Sequence, residues 1–163
     1  MEITEILDPG LVLCGLKANG AEDVIRKLGN LLYKKGKVKK SFVEATIARE
    51  KEMPTGLPIG NINAAIPHTD IEHVNKPSLA IGILNKPIPF GIMINPEELV
   101  EVSIVFLLAL NKPHDQIEML QKVAMVLQNS SILKELKQAK NSIQVVKVLS
   151  KWSSRSSSEG GDA

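Results

Sequence analysis

PTGLPIGNINAAIPHTD, from Pro54 to Asp70, is the stretch on which the expected fold depends. It starts with a turn-rich segment, continues as a short apolar run and ends on Pro67 and His68. Proline has a restricted φ and disfavours helical backbone at the residue before it, so His68 follows a stiff, extended segment. A reactive side chain in such a position has few conformations to lose. The stretch therefore predicts a histidine held at the end of a buried element.

The size and composition of the chain are those of a single globular domain. Its 163 residues are 44% apolar, 23% charged and only 3% aromatic, which predicts one aliphatic core. The net charge of +2 and the lack of a basic stripe with aromatic residues argue against nucleic-acid binding. A cluster of lysines from Lys34 to Lys40 crosses a predicted helix end, where it complements the helix dipole or, alternatively, docks an acidic partner. Cys14 is the only cysteine, which excludes an intramolecular disulfide.

The sequence shows no signal-peptide pattern and no membrane-spanning run. No basic segment followed by an apolar one opens the sequence, and the longest apolar run, Ser103 to Leu110, is too short to span a bilayer. We therefore expect a cytoplasmic protein that does not insert into membranes. Residues 153–163 are rich in serine and glycine and are expected to form a disordered tail.

Predicted strands alternate with predicted helices, and the chain has no internal repeat. The segment from Lys86 to Phe90 holds two prolines and is expected to be a turn or an edge strand. Ser130 and Ser142 are expected to cap two late helices, and Ile117 to lie on the apolar stripe of the helix behind Pro113. The expected strands are 11–16, the short apolar run 64–66, 79–84 and 100–110, and the expected helices are 21–34, 42–51, one after 113, 132–139 and 143–151. This order predicts a layered α/β domain with a mostly buried sheet.

Two of the three histidines share a setting. His68 and His114 each follow a proline at the end of a predicted strand, and a helix begins at His114. In layered α/β domains, strand carboxyl ends and helix amino ends meet along one sheet edge, where ligands bind. If the two strands are neighbours, the imidazoles face each other beside backbone N–H groups that favour an anion. Arg49, just before the Pro54 segment, adds positive charge there, unless it is an ordinary surface arginine.

These groups suit a phosphoryl group, although other chemistries are open from spacing alone. Neutral imidazole is a competent nucleophile near pH 7, and phosphoryl transfer also needs donors around the phosphoryl oxygens. A metal site would need a third ligand such as Asp70 or Asp115, and the sequence has no HExxH spacing. A serine hydrolase would need a G-x-S-x-G elbow, which is absent. Each histidine can also be an ordinary polar residue, and His73 is interpreted as a surface loop residue.

A resemblance narrows these alternatives. The run REKEMPTGLPIGNINAAIPHTD from Arg49, followed by PSLAIGIL, KPIPF and VFLLALNKPHDQIEMLQKVAMVL, resembles the enzyme IIA domain of the bacterial phosphoenolpyruvate-dependent sugar phosphotransferase system, in its fructose/mannitol/galactitol class. The PTGLP and PHTD segments are most similar to the galactitol branch. Thr69 stands where fructose and mannitol members usually have glycine, which leaves the branch open. The resemblance implies a type 2 IIA domain over residues 1–152, folded as an α/β/α sandwich with a mixed sheet flanked by helices.

The resemblance also implies roles for single residues. His68 matches the histidine that is phosphorylated, and His114 matches the second active-site histidine. Arg49 matches the arginine of the segment R-E-x-x-x-x-T-G, where it balances phosphate charge, and Thr55 of that segment is expected to offer its hydroxyl. The phosphoryl group would come from phosphohistidine on the carrier HPr and pass to a cysteine of enzyme IIB, for uptake of galactitol or a related polyol through the membrane enzyme IIC. No metal, nucleotide or other cofactor is implied.

Two functions remain open at this point. One is a phosphocarrier in sugar uptake, and the other is a regulatory IIA-like module whose phosphorylation state controls binding to a partner protein. Both functions keep the histidine. In either case proteins must reach His68 in turn, so we expect a shallow exposed patch around it, with at least one of Ile62, Ile66 and Ile71 as an apolar contact.

Overall fold

The structure, a computed structural model, describes the backbone of residues 1–161 and the side chains of residues 1–153. Within these residues the chain forms five strands and five α-helices, joined by loops and short 3-10 turns. The elements in chain order are β1 (Val12–Leu16), α1 (Ala21–Lys34), α2 (Phe42–Glu52), β2 (Gly56–Leu57), β3 (Asn63–Ala65), β4 (Ser78–Ile92), β5 (Asn95–Ala109), α3 (Pro113–Leu127), α4 (Ser130–Gln138) and α5 (Ser142–Gly161).

The strands form one mixed sheet whose pairing positions the site. β5 lies between β3, to which it is parallel, and β4, to which it is antiparallel. β1 runs parallel to β4, and β2 pairs antiparallel with β3. Because β3 and β5 are parallel neighbours, their carboxyl ends lie at the same edge of the sheet. The chain segments that carry His68 and His114 both start at that edge.

Helices cover both faces of the sheet. Alternate residues of a strand point to opposite faces, and β5 shows this separation clearly. Ile104, Phe106 and Leu108 pack in one core with apolar residues of α3, α4 and α5. Val105 and Leu107 pack in a second core on the other face, with residues of α1 and the start of α2. The predicted layered α/β/α sandwich is therefore confirmed.

Several local predictions differ from the structure. Ile117 has 62% of its surface exposed, whereas Met119 is fully buried, so the apolar stripe of α3 is rotated from the predicted one. The amide side chain of Asn129, not Ser130, accepts from backbone N–H groups at the start of α4, and Asn141 does the same for α5. Asparagine is an N-cap at least as favourable as serine, and each serine becomes a helical residue instead.

The last helix is longer than predicted. α5 continues to Gly161, whereas the sequence predicts a helix end at Lys151 and a disordered tail over residues 153–163. No proline interrupts residues 152–161, and extending an existing helix costs far less than starting one. Residues 162–163 lie outside the described residues, and the domain boundary at residue 152 stays a prediction. No described helix combines the length and apolar character that crossing a bilayer requires.

Candidate functional site

His68 is held at the end of β3 by backbone contacts. The N–H of Leu108 in β5 donates to the carbonyl of Pro67 over 3.1 Å, which continues the contact between the two strands beyond Ala65. The ring Nδ1 of His68 lies 2.8 Å from the carbonyl oxygen of Ile66. A carbonyl can only accept, so the neutral ring carries its proton on Nδ1 and keeps a free lone pair on Nε2. Only 7% of the residue is exposed, which places the ring inside the edge of the domain.

The environment of His68 favours the neutral ring. Burial lowers the pKa of His68 below its ordinary value, and the positive charge of Arg49 lowers it further. The hydrogen bond to the Ile66 carbonyl and the carboxylate of Asp70 oppose this shift, but burial is the larger influence. A ring that is neutral near pH 7, with its Nε2 lone pair available, has the form that a nucleophile needs.

Arg49 lies in the last turn of α2, close enough for its charge to act on both His68 and Glu50. Its side chain is half-buried. Among the described residues, its Nε is buried and has no hydrogen-bond partner. Buried polar groups normally have partners, and guanidinium groups bind the oxygens of phosphate with their planar set of donors. The structure therefore brings Arg49 to His68 with a donor that an anion could use.

Glu50 is a site residue that the sequence reasoning missed. Its carboxylate accepts the backbone N–H of Thr55 at Oε2 and the hydroxyl of Thr55 at Oε1, each over 2.8 Å. Burial raises the pKa of Glu50 to about 7, although both Thr55 bonds and the charge of Arg49 oppose the shift. The adjacent pair Arg49 and Glu50, shortly before Thr55, is the sequence signal that could have indicated it.

Thr55 is committed to protein contacts in this structure. Its hydroxyl donates to Glu50 and accepts the N–H of Ile66 over 3.2 Å. The side chain is buried, with 3% of the residue exposed. The hydroxyl that the sequence assigns to phosphate thus supports the backbone on which His68 is anchored.

His114 lies at the same sheet edge but is not joined to His68. It is the second residue of α3, and its side chain is 90% exposed. Its Nε2 is 3.6 Å from a carboxylate oxygen of Glu118, whose pKa is lowered mainly by its hydrogen bond from Lys122. Within the described part of the chain, no hydrogen bond connects the two imidazoles, and their facing each other stays a prediction. A side chain this exposed at a helix start can change rotamer freely, so its position is not fixed by packing.

The first turn of α3 is nevertheless tied to the His68 segment. The side-chain amide of Gln116 donates to the carbonyl of Thr69 over 3.2 Å. This bond fixes the start of α3 against the segment just beyond His68. Of the isoleucines expected around the site, Ile66 is buried, whereas Ile62 and Ile71 are half-buried.

Known proteins with the same sequence pattern identify the family. Residues 5–152 match the family described as "Phosphoenolpyruvate-dependent sugar phosphotransferase system, EIIA 2". The mannitol-specific EIICBA component of Buchnera aphidicola subsp. Baizongia pistaciae (strain Bp) is 30% identical over 142 residues, which are 86% of this chain and 21% of that protein. The galactitol-specific EIIA component of Escherichia coli (strain K12) is 28% identical over 125 residues, which are 77% of this chain and 83% of that component. The chain thus spans about a fifth of the mannitol protein and most of the galactitol component.

Solved structures share the fold. In the complex of enzyme IIAMTL and phosphorylated enzyme IIBMTL from Escherichia coli, the matching chain has a TM-score of 0.73 and 26% identity, with 89% of this chain and 97% of that chain covered. EIIA components of this system are phosphotransferases that pass phosphoryl groups between proteins. The family match extends over nearly all of the residues that form the sandwich and includes His68, Arg49 and His114. The chain belongs to the EIIA 2 family of the phosphoenolpyruvate-dependent sugar phosphotransferase system.

Proposed function

We propose that this protein is a phosphocarrier that accepts a phosphoryl group on Nε2 of His68 from phosphohistidine HPr. It then passes the group to a cysteine of enzyme IIB, which serves the uptake of galactitol or a related polyol through enzyme IIC. The observation that carries the proposal is the bond between Nδ1 of His68 and the Ile66 carbonyl. That bond leaves Nε2 as the nucleophilic atom of a neutral ring and holds the ring in one orientation.

The first step is a displacement at phosphorus between two nitrogen atoms. The Nε2 lone pair of His68 attacks the phosphorus, the N–P bond of phosphohistidine HPr breaks, and the HPr imidazole leaves with the electron pair. In the second step the cysteine thiolate of IIB attacks the same phosphorus, and His68 leaves as the neutral, Nδ1-protonated ring. Arg49 supplies positive charge to the phosphoryl oxygens in both steps. Its Nε–H is available to donate to them, because this Nε has no partner among the described residues.

The galactitol branch is supported by the E. coli galactitol-specific EIIA component, which this chain covers for most of its length. The test is reconstitution with phosphoenolpyruvate, enzyme I, HPr and a purified IIB. We expect one acid-labile, base-stable phosphoryl group per chain, followed by faster transfer to a galactitol IIB than to a mannitol IIB. Absence of labelling would overturn the proposed function, and faster transfer to the mannitol IIB would overturn the branch. Labelling without transfer to any IIB would favour the regulatory alternative.

His114 is expected to assist the second step without carrying the phosphoryl group. It is exposed at the start of α3, so it can turn toward a phosphoryl group on His68 at the price of a weak contact with Glu118. In the His114→Ala protein, labelling by HPr should persist, while transfer to IIB slows roughly tenfold or more, as expected for one lost charge-assisted hydrogen bond. Rapid-quench measurement of both steps checks this, with His73→Ala as the control. Failure of His114→Ala to be labelled at all would reverse the two roles.

Arg49→Lys keeps the positive charge but removes the planar set of donors. We expect transfer to slow about tenfold while the protein stays folded, because a point charge replaces two aligned hydrogen bonds. Arg26→Lys is the matched control, since Arg26 is an arginine of α1 that pairs with Glu44 and Glu22 on the surface. Equal rates for the wild type and the Arg49→Lys protein would remove Arg49 from the mechanism.

The partner surface is expected to include Ile117 rather than the isoleucine nearest to His68. Ile66 is 1% exposed and cannot contact a partner, whereas Ile117 is 62% exposed and lies three residues beyond His114 in α3. The small exposed part of His68 is expected to be its Nε2 edge, because Nδ1 faces the Ile66 carbonyl. An exposed apolar residue one turn along the helix from His114 suits the small interfaces of transient complexes.

A further inference from the structure

A continuous chain of hydrogen bonds runs from the buried carboxylate of Glu50 to the ring of His68. Thr55 donates to Glu50 from both its backbone N–H and its hydroxyl, over 2.8 Å each. The N–H of Ile66 donates to the Thr55 hydroxyl over 3.2 Å, and more weakly to the Thr55 carbonyl over 3.4 Å. The Ile66 carbonyl then holds Nδ1 of His68 over 2.8 Å. Three elements, α2, the segment before β2 and the end of β3, are joined by this chain.

The direction of each bond is set by the groups at its two ends. The N–H of Ile66 can only donate, so the Thr55 hydroxyl oxygen must accept from it. The hydroxyl hydrogen is then free to donate, and it donates to Oε1 of Glu50. An ionised carboxylate, which only accepts, is therefore the group that makes this direction the stable one. A protonated Glu50 or a glutamine would compete with Ile66 for the same hydroxyl oxygen.

Ile66 connects Thr55 to His68, because its N–H binds Thr55 and its carbonyl binds the histidine ring. It lies just beyond Ala65, the last residue of β3, where only the long bond to the Thr55 carbonyl continues the pairing with the β2 segment. Its N–H donates to Thr55, and its carbonyl accepts from the ring of His68. Pro67 stiffens the backbone between Ile66 and His68. Loosening the N–H contact therefore lets the carbonyl move relative to the ring. The Nδ1 proton would then no longer be favoured over an Nε2 proton.

We propose that Glu50 and Thr55 are positioning residues that hold the Ile66 carbonyl so that His68 keeps its proton on Nδ1 and its lone pair on Nε2. This proposal rests on the proposed role of His68 as the phosphoryl acceptor. It gives Thr55 a different task from the one expected from the sequence, because the hydroxyl acts on the protein backbone and not on the phosphoryl group. A carboxylate kept at a buried position at a cost in stability is also more typical of functional sites than of structural ones.

The test measures the tautomer of His68 directly, by two-bond 15N–1H correlation spectra of the imidazole at pH 8. In the wild-type protein we expect the Nδ1-protonated form to dominate. In Thr55→Val, which replaces the hydroxyl by a methyl group, we expect a substantial share of the Nε2-protonated form and phosphoryl acceptance from HPr about tenfold slower. Thr55→Ser should restore both values toward those of the wild type, because serine keeps the hydroxyl. Glu50→Gln should shift the tautomer in the same direction as Thr55→Val, which keeps the test valid if the valine variant does not fold.

The matched control is Thr46→Val, since Thr46 is a buried threonine of α2 whose hydroxyl donates to the carbonyl of Phe42 within the helix. Its tautomer ratio should equal that of the wild type. An unchanged tautomer in both Thr55→Val and Glu50→Gln, or an equal shift in Thr46→Val, would overturn the proposal. The proposed function can fail separately. If the tautomer shifts as expected but the wild-type protein accepts no phosphoryl group, the positioning stands and the phosphocarrier role falls.

Discussion

Replacing His68 by alanine is expected to abolish phosphorylation by phosphohistidine HPr while leaving the domain folded. The alanine removes the one ring whose Nδ1 is anchored to Ile66 and whose Nε2 lone pair is free to attack phosphorus. The ring lies at the edge of the sheet, outside both large apolar cores, so its loss should cost little stability. Incorporation of labelled phosphate from phosphoenolpyruvate, with circular dichroism to verify folding, measures both outcomes.

The control for this variant is His73→Ala. His73 is a half-buried histidine of a 3-10 turn whose Nδ1 lies 2.8 Å from the hydroxyl of Ser41, away from the segment that anchors His68. Its replacement should leave labelling at the wild-type level. Full labelling of the His68→Ala protein would show that another residue carries the phosphoryl group.

Glu50→Gln is expected to make the protein more stable at pH 8 and to have little effect near pH 4.5. The pKa of Glu50 rises from 4.5 to about 7 on folding, so between these values the folded chain holds a proton that the unfolded chain has released. The contribution of Glu50 to stability is therefore complete below pH 4.5 and is lost as the pH rises through about 7. A shift of this size corresponds to about 3 kcal/mol of unfolding free energy, which the wild type loses when Glu50 ionises. The glutamine variant is neutral at every pH and does not lose it.

Chemical denaturation of the wild type and the variant at both pH values measures this difference. The charged groups near Glu50 are Arg49, whose charge opposes the shift, and Glu22 and Lys51, which line the same cleft. Comparison of the two proteins cancels the contributions that these groups make in both. Glu52→Gln is the control, since Glu52 is an exposed residue at the end of the same helix. A difference between wild type and Glu50→Gln that does not grow with pH would show that the carboxyl is not destabilised by burial.

The Glu50→Gln variant separates stability from function. Glu50→Gln is expected to be more stable than the wild type at pH 8 and yet slower in phosphoryl acceptance. Sites that hold a charged group in a buried place commonly trade stability for activity in this way. The same glutamine would thus raise the stability of the fold at pH 8 and lower the rate of phosphoryl acceptance.

The sequence predicts the elements of this fold well where its apolar pattern is long and regular. The predicted helix 21–34 coincides with α1, and the predicted strand 100–110 contains the buried part of β5, residues 102–109. Pro89 lies in a part of β4 that pairs with β5 alone, and Pro87 lies in the irregular part of β4 between Ile83 and Ile88, which agrees with the expected turn or edge strand. Proline lacks the N–H that a second neighbouring strand would need, and this rule holds irrespective of the tertiary fold.

The sequence predicts the site less completely, for reasons that the contacts explain. The Pro-His setting marks His68 and His114, but the parallel pairing of β3 with β5 is a tertiary fact that no local pattern contains. In the sequence alone, Glu50 has the setting of a solvated glutamate in the last turns of an ordinary helix. Only the return of the chain through Thr55 to β3 buries it and makes its carboxylate an acceptor. The exposure of His114 likewise depends on how α3 packs, which the apolar pattern placed incorrectly at Ile117.

The most direct test of the central claim is to locate the phosphate within the phosphorylated protein. Peptide mapping identifies the histidine, and alkaline hydrolysis followed by separation of the two phosphohistidine isomers identifies the ring nitrogen. Because Nδ1 of His68 is bonded to the Ile66 carbonyl, we predict phosphate on Nε2, in the peptide that contains His68. Phosphate on Nδ1, or in the peptide that contains His114, would contradict the assignment of His68 Nε2 as the phosphoryl acceptor.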